Sequence, residues 1–476
     1  MGEIYLSKTV KFFIPIILLF GVLQVQIVQS QINFNSSGLV GESLNNPTSL
    51  AFGPDGKLYV SQQDGKILQY TVTRDGAAPG NGTYNVAATS TINVIKNNVP
   101  NHNDDGTNNG TQQRQITGIF IAGSVTNPII YVSSSDWRIS VGTDSNLDTN
   151  SGVLSKLTWN GSSWTKVDLV RGLPRCEENH STNGMDMFTK NNNTYLLLQQ
   201  GGNTNKGAPS NNFSGTSETF LSSAILIVNL TQLDGMPVFN DPRTNTSYVY
   251  DLPTLDDPTR SNITNSDSNF PYPIGHPMYN ATIDLGDPFG GNNSLNQAFV
   301  EQGGPVQIFS PGYRNAYDVV VTQNNNIYTV DNGPNTNWGG VPVIYNSNGT
   351  IKTTNGILDP SSADYISNDF NENGSGFVGD ALHLVGTIND ANGNYYGGHP
   401  VPIRAFPSRA GVRKYVKPEG GNFQLTDDYD FSALLAGVRG YFKTSFSIAD
   451  FPDDDRQGEY LAGNESSNKV KILDVI

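Results

Sequence analysis

The sequence predicts an all-β fold, specifically a β-propeller, from three observations. The 50 glycines and 26 prolines leave few uninterrupted windows for helices. Short apolar, β-prone runs alternate with clusters of Asn, Asp, Ser and Thr, as strands alternate with turns. One unit, an apolar strand, a polar turn and a second apolar strand, recurs along the chain.

The unit reads SLAFGPDGKLYVSQQDG from Ser49, GIFIAGSVTNPIIYVSSSD from Gly118, GMDMFTKNNNTYLLLQQGG from Gly184 and YDVVVTQNNNIYTVDNG from Tyr317. A fifth copy reads SFSIADFPDDDRQGEYLAG from Ser445, and the later spacings are about twice the earlier ones. Hairpins apolar on both faces are buried by stacking neighbours radially, which favours a propeller over a sandwich. The spacing permits six or seven blades. Two irregular stretches, 236–305 and 353–440, read either as long loops on the functional face or as further blades. The chain stops after KVKILDVI, so ring closure is expected to borrow an N-terminal strand such as INFNSSGLV.

Residues 1–30 read as a signal peptide: Lys8 and Lys11 precede the apolar run FFIPIILLFGVLQVQIV, and small residues lead to a cut before Gln31. The alternative is an uncleaved anchor, since the run is close to spanning length. Residues 31–476 then form the propeller, secreted and free of the membrane once cleaved. Many sequons, Asn81-Gly-Thr, Asn229-Leu-Thr and Asn348-Gly-Thr among them, fit a secreted glycoprotein. Cys176 is the only cysteine, which excludes an intrachain disulfide. The net charge of -15, with no basic patch, argues against nucleic acid as a partner.

Chemistry is expected where residues just before each repeat line one end of the central channel. His180 precedes Gly184, Arg314 precedes Tyr317 and Gln115 precedes Gly118 in matching phase, offering a base, a cation and an amide to one mouth. Each residue also has a plainer reading. His180 could be a loop histidine bonded to backbone, Arg314 could pair with Asp318 or Asp331, and Gly333-Pro334-Asn335 could simply make a turn. Gly201-Gly202 reads as a tight turn or close packing, and Cys176 as a buried thiol.

The runs ENHSTNG, QQGGNTNKGAPSNNF, FSPGYRNAYDVVV and DNGPN resemble the glucose/sorbosone dehydrogenase family, soluble quinoproteins that use pyrroloquinoline quinone. The likeness extends from about Asn46 to Asn335, with a weaker tail. It implies a six-bladed propeller that oxidises a sugar or other alcohol and passes electrons to a diffusible acceptor. It further implies that His180 is the base and that Arg314 binds the quinone oxygens. Asn315 would orient the cofactor, Gln115 would contact substrate or cofactor, and the Gly333 and Pro334 carbonyls would hold Ca²⁺. Lys206, Arg404 and His399 are candidates for further basic contacts.

The chain departs from the family twice. Where a carboxylate orients the family's base, it reads Gln199-Gln200-Gly201, and acidic residues after the G-P-N are replaced by Thr336-Asn337-Trp338-Gly339. Two rival functions follow: a non-catalytic extracellular binding or adhesion module, and a metal-dependent lactonase-type hydrolase. A glycan on Asn179, in the sequon Asn179-His180-Ser181, would crowd the mouth, so the site reading expects Asn179 to stay unmodified.

Overall fold

The computed structural model describes residues 39–75, 83–254, 298–335 and 380–399, with short gaps at 104–106, 141–144, 206–210, 215, 217, 242–243, 299, 302 and 393–394. It also describes residues 288–289, 338, 415–416, 424–425 and 459–463. The expected signal peptide, the KVKILDVI strand, Lys206 and Arg404 lie outside the described residues.

Strand is the dominant regular structure of the described residues, joined by two five-residue helices, Val94–Asn98 and Leu230–Asp234. The first sheet holds β2 (Pro47–Phe52), β3 (Leu58–Gln62), β4 (Ile67–Asp75) and β5 (Thr83–Ile92). A small separate unit, 73–85 with the segment up to Gly41, contains β1 (Leu39–Val40), which pairs in parallel with Tyr84–Asn85. The second sheet runs β6 (Gln115–Gly123), β7 (Pro128–Ser135), β8 (Gly152–Trp159) and β9 (Trp164–Leu173). The third is built on β10 (Thr182–Lys190), β11 (Asn193–Gln200) and β12 (Ala224–Asn229). The insertion that follows contributes β13 (Phe239–Asn240) and β14 (Ser247–Asp251) to the edge of the second sheet, then β15 (Val306–Pro311) to the third. The fourth sheet holds β16 (Ala316–Val321), β17 (Asn326–Asp331) and β18 (Asp380–Thr387). The pair β19 (Tyr415–Val416) and β20 (Gln424–Leu425) stands apart, and β21 (Glu459–Gly463) adds to the fourth sheet.

The four repeats from Ser49, Gly118, Gly184 and Tyr317 are the opening hairpins of these four sheets. Their first strands stand side by side, β2 on β6, β6 on β10 and β10 on β16. Tyr317 Oη donates to the Thr48 carbonyl at 3.0 Å, bringing the fourth inner strand back to the first. Three apolar clusters fill the spaces between successive sheets. Ile67, Ile119 and Val132 lie between the first and second, Leu154, Met185 and Leu226 between the second and third, and Leu197, Ile225 and Val319 between the third and fourth. Faces apolar on both sides are thus buried by radial stacking, the arrangement of a propeller.

The expectation of six blades is corrected: among the described residues four blade sheets form, not six, beside the two-stranded β19–β20 pair. Of the two stretches that could hide further blades, the described part of 236–305 supplies β13 and β14 to the edge of the second sheet, and that of 353–440 supplies β18 to the fourth. Apolar strands from an insertion gain most by pairing with an existing open edge. The fifth copy behaves in the same way. Its EYLAG segment is β21, which pairs with β18, while 445–458 lies outside the described residues.

Some of the asparagines serve the backbone. Lys190 pairs with Asn193 across Asn191 and Asn192, whose φ values of 52° and 65° make a two-residue turn of the kind that matches strand twist. Asn325 closes the equivalent turn of the fourth repeat with φ 65°. Asparagine tolerates this left-handed region better than other residues with a Cβ.

Candidate active site at the channel mouth

Each inner strand carries a register irregularity at its start: between Pro47 and Ser49 in β2, Ile116 and Gly118 in β6, Thr182 and Met185 in β10, and Ala316 and Asp318 in β16. A bulge inserts an unpaired residue and bends the strand, so residues just ahead of it are re-aimed. The inner strands run in one direction, so Gln115, His180 and Arg314 emerge at the same end.

His180 is 3% exposed, and its Nδ1 lies 2.8 Å from the Gly202 carbonyl. A carbonyl only accepts, so Nδ1 carries the proton and the neutral ring presents its lone pair at Nε2. Burial, then the nearby Arg314 guanidinium, hold this histidine well below its ordinary range, so it is neutral at pH 7. The ring packs on Phe213 at a centroid distance of 5.2 Å.

The loop that carries His180 is held by Arg175, which is fully buried. Its guanidinium donates to the carbonyls of Cys176, Glu178 (3.2 Å), His180 (3.4 Å), Asp136 (3.4 Å) and Arg138 (2.7 Å), and to Gln115 Oε1 (3.3 Å). Gln115 is therefore a support of this clasp. Cys176 is a buried thiol that accepts from the His180 amide at 3.1 Å, and burial pushes its pKa up to about 12.

Arg314 and Asn315 occupy the turn between β15 and β16. Asp331, at the end of β17, holds their backbone through its carboxylate: Oδ2 accepts from Arg314 N at 2.9 Å and Oδ1 from Asn315 N at 2.7 Å. The contact with Asp331 thus runs through the Arg314 main chain. The guanidinium donates from Nε to Asn205 Oδ1 at 3.0 Å and lies 5.9 Å from the centre of the Phe213 ring. With the Asn332 amide turned to satisfy its neighbours, its oxygen accepts from Arg314 Nη1 at 2.7 Å. Asn315 accepts from Asn183 at 2.8 Å.

Gly201 and Gly202 join the two halves. A Cβ on Gly201 would meet His180 Cβ at 2.8 Å and Asn315 Oδ1 at 2.5 Å, and one on Gly202 would meet the Arg314 carbonyl at 2.9 Å. Gly202 N also donates to that carbonyl at 2.8 Å. Close approach requires glycine at both positions.

The structure thus brings His180, Arg314 and Asn315 together, with Gln115 one residue behind them. Gly333 and Pro334 follow β17. Gly333 N donates to Asp380 at 3.2 Å, and the next residue but one is tied to Arg314 through Asn205, whose amide accepts from Asn335 N and donates to its carbonyl, both at 2.9 Å. Trp338 reaches the Phe213 ring at 6.2 Å.

Gln200, at the place where the family has its carboxylate, makes no bond to His180. It accepts from Thr182 at 2.9 Å and donates to the Pro174 carbonyl at 2.8 Å. Sequence reasoning missed Arg175, Asn205, Phe213 and Glu218. His399, expected at the cofactor, binds the Glu218 carboxylate at 2.9 Å.

No protein-family model and no curated protein matches this sequence. The solved structures it is similar to include a calcium structure of a Trichoderma reesei enzyme of carbohydrate-active family AA12, at 15% identity and TM-score 0.38, over 76% of this chain and 57% of that one. The holo pyranose dehydrogenase PQQ domain of Coprinopsis cinerea aligns at 13% identity and TM-score 0.36, over 77% and 55%. The PQQ-bound aldose sugar dehydrogenase of Streptomyces coelicolor aligns at 15% and 0.27, over 63% and 60%. The chain spans less than two thirds of each of these proteins, and likenesses this distant assign no function.

Proposed function

We propose that the chain is a secreted oxidoreductase that oxidises a sugar or related alcohol with pyrroloquinoline quinone, aided by Ca²⁺. The observation that carries this reading is the His180 ring, locked by Gly202 so that Nε2 is a lone pair, beside the Arg314 guanidinium and over the Phe213 ring. For the quinone, a planar molecule with three carboxylates, the site holds the Arg314 cation, backed by the fully buried Phe213 ring. The Gly333 and Pro334 carbonyls accept no hydrogen bond from the described residues and are hard oxygen donors. They make two of the six to eight oxygens Ca²⁺ takes, so cofactor and water would complete the shell. Among the described residues no group of three His, Cys, Asp or Glu stands ready to hold a metal.

The quinone, when bound, supplies the two-electron acceptor for the hydride leaving the substrate carbon. His180 Nε2 takes the hydroxyl proton as that C–H bond breaks and the carbonyl forms, a role worth about 10²–10⁴ in rate. Because burial keeps His180 unprotonated, the base is ready across neutral pH. Arg314 would offer its guanidinium to the acceptor's oxygens, and Asp331 fixes the direction of the turn that presents it.

Purified protein supplied with pyrroloquinoline quinone and Ca²⁺ is expected to reduce a dye with a sugar from a broad panel, and His180→Ala to abolish this. Absence of activity across the panel, together with no quinone binding in an absorbance titration, would end the reading. Secretion and glycosylation belong to the same proposal. Asn179 is exposed beside the mouth, so glycopeptide mass spectrometry showing a fully occupied Asn179 would count against an open site.

A further inference from the structure

Between β11 and β12 the chain from Gln199 to Ser223 contains a single acidic residue, Glu218. It is 2% exposed and collects four donors. Oε2 accepts from Asn203 N at 2.9 Å and Ser222 Oγ at 2.6 Å, and Oε1 from Thr204 Oγ1 at 2.6 Å and His399 Nε2 at 2.9 Å. Burial opposes the charge, but these donors, His399 foremost, hold the Glu218 carboxyl down at about 2, so it is ionised.

The Asn203 N–H that Glu218 grips and the Gly202 C=O that His180 Nδ1 binds are the two ends of one peptide group. A carboxylate pulling on a peptide N–H polarises the unit, and the carbonyl oxygen becomes a stronger acceptor. We propose that Glu218 is a positioning residue for His180, acting through the Gly202–Asn203 peptide in place of the carboxylate that the end of β11 lacks. The chain therefore keeps an anionic partner for its base, set one peptide further away. His399, brought in by the segment whose His399 N donates to the Gly312 carbonyl at 2.8 Å, draws charge from the carboxylate and moderates the pull. The charged and titratable groups facing the ring are Arg314, Glu218 and His399, with Arg175 and Cys176 on its own loop.

The test reads the His180 Nδ1 proton by NMR in the cofactor-free protein, assigned among five histidines by its loss in His180→Gln. Glu218→Gln keeps the shape of the side chain and removes its charge, so the proton is expected to move upfield as the carbonyl weakens. His399→Phe removes a donor from the carboxylate and is expected to move it downfield. A merely structural Glu218 would loosen one loop in both variants and shift or broaden the signal in the same sense. That result, or an unmoved signal in Glu218→Gln, overturns the relay, and if Glu218→Gln fails to fold, the direction of His399→Phe decides.

The kinetic arm rests on the proposed oxidoreductase: Glu218→Gln should lower kcat about 10-fold with KM little changed, as expected when a base is weakened. Opposite spectral shifts in a wild-type protein without dehydrogenase activity would uphold the relay while removing the proposed reaction. Normal activity with no spectral shift would do the reverse.

Discussion

Arg175→Lys isolates what holds the His180 loop. The substitution keeps a positive charge but reduces five N–H donors in a fixed fork to three on a single ammonium. Six oxygens, all neutral, depend on the guanidinium, and the residue is fully buried, so oxygens left behind gain no water in exchange. Two or three of them would lose their partner. Hydrogen bonds to a charged group contribute about 1.5–3 kcal/mol each, and the contacts at 3.3–3.4 Å belong at or below the lower end. The expected loss is therefore about 3–5 kcal/mol, read as a lower urea midpoint with an unchanged slope. The His180 Nδ1 proton should broaden in the same variant, because three of the six oxygens are the carbonyls of Cys176, Glu178 and His180. A variant within about 0.5 kcal/mol of wild type, the usual span of surface changes, would refute the assignment of loop geometry to this clasp.

Two further outcomes follow from the inner strands. Burial, then the neighbouring Asp186, raise the Asp318 carboxyl to about 6. A carboxyl whose folded pKa lies above its unfolded value stabilises the fold below the unfolded value and loses that contribution as pH rises through the folded one. Thermal midpoints should therefore rise as pH falls from 7 toward 4, and Asp318→Asn should flatten that rise. Two pH units correspond to about 3 kcal/mol, but Asp318, although its carboxylate packs against Gly184 of the neighbouring inner strand, still meets solvent, which screens this to about 1 kcal/mol. Gly118→Ala should cost about 1–3 kcal/mol in denaturant melts, since its Cβ would strike the Asn183 carbonyl and sit 2.8 Å from Gly184 Cα on the adjacent inner strand.

The sequence carried the strand-turn-strand unit in plain view because period-two apolar runs and Asn turns are local properties. All four well-formed copies open a sheet, and two of the residues just before them, His180 and Arg314, approach each other across Gly201 and Gly202. The number of sheets was not legible from the same signal, because an apolar strand in an insertion reads alike whether it founds a blade or joins an open edge, as β14 does. The partner of His180 was hidden for another reason. Gly202 acts through a main-chain oxygen, which no side-chain pattern announces, whereas Glu218 did leave a trace as the lone acidic residue of its loop. Arg175 stood in the same short motif as His180, yet a buried arginine serving carbonyls looks in sequence like any surface cation.

The bulge that opens each inner strand has a consequence beyond this site. Because it lies at the margin of the paired backbone, the side chain it aims is mounted in a socket rather than woven into the fabric. An imidazole, a guanidinium and an amide occupy three such sockets on nearly the same scaffold. Exchanging the imidazole or the guanidinium should change the chemistry held there more than the pairing of the sheets, whereas the Gln115 amide is tied to the Arg175 clasp.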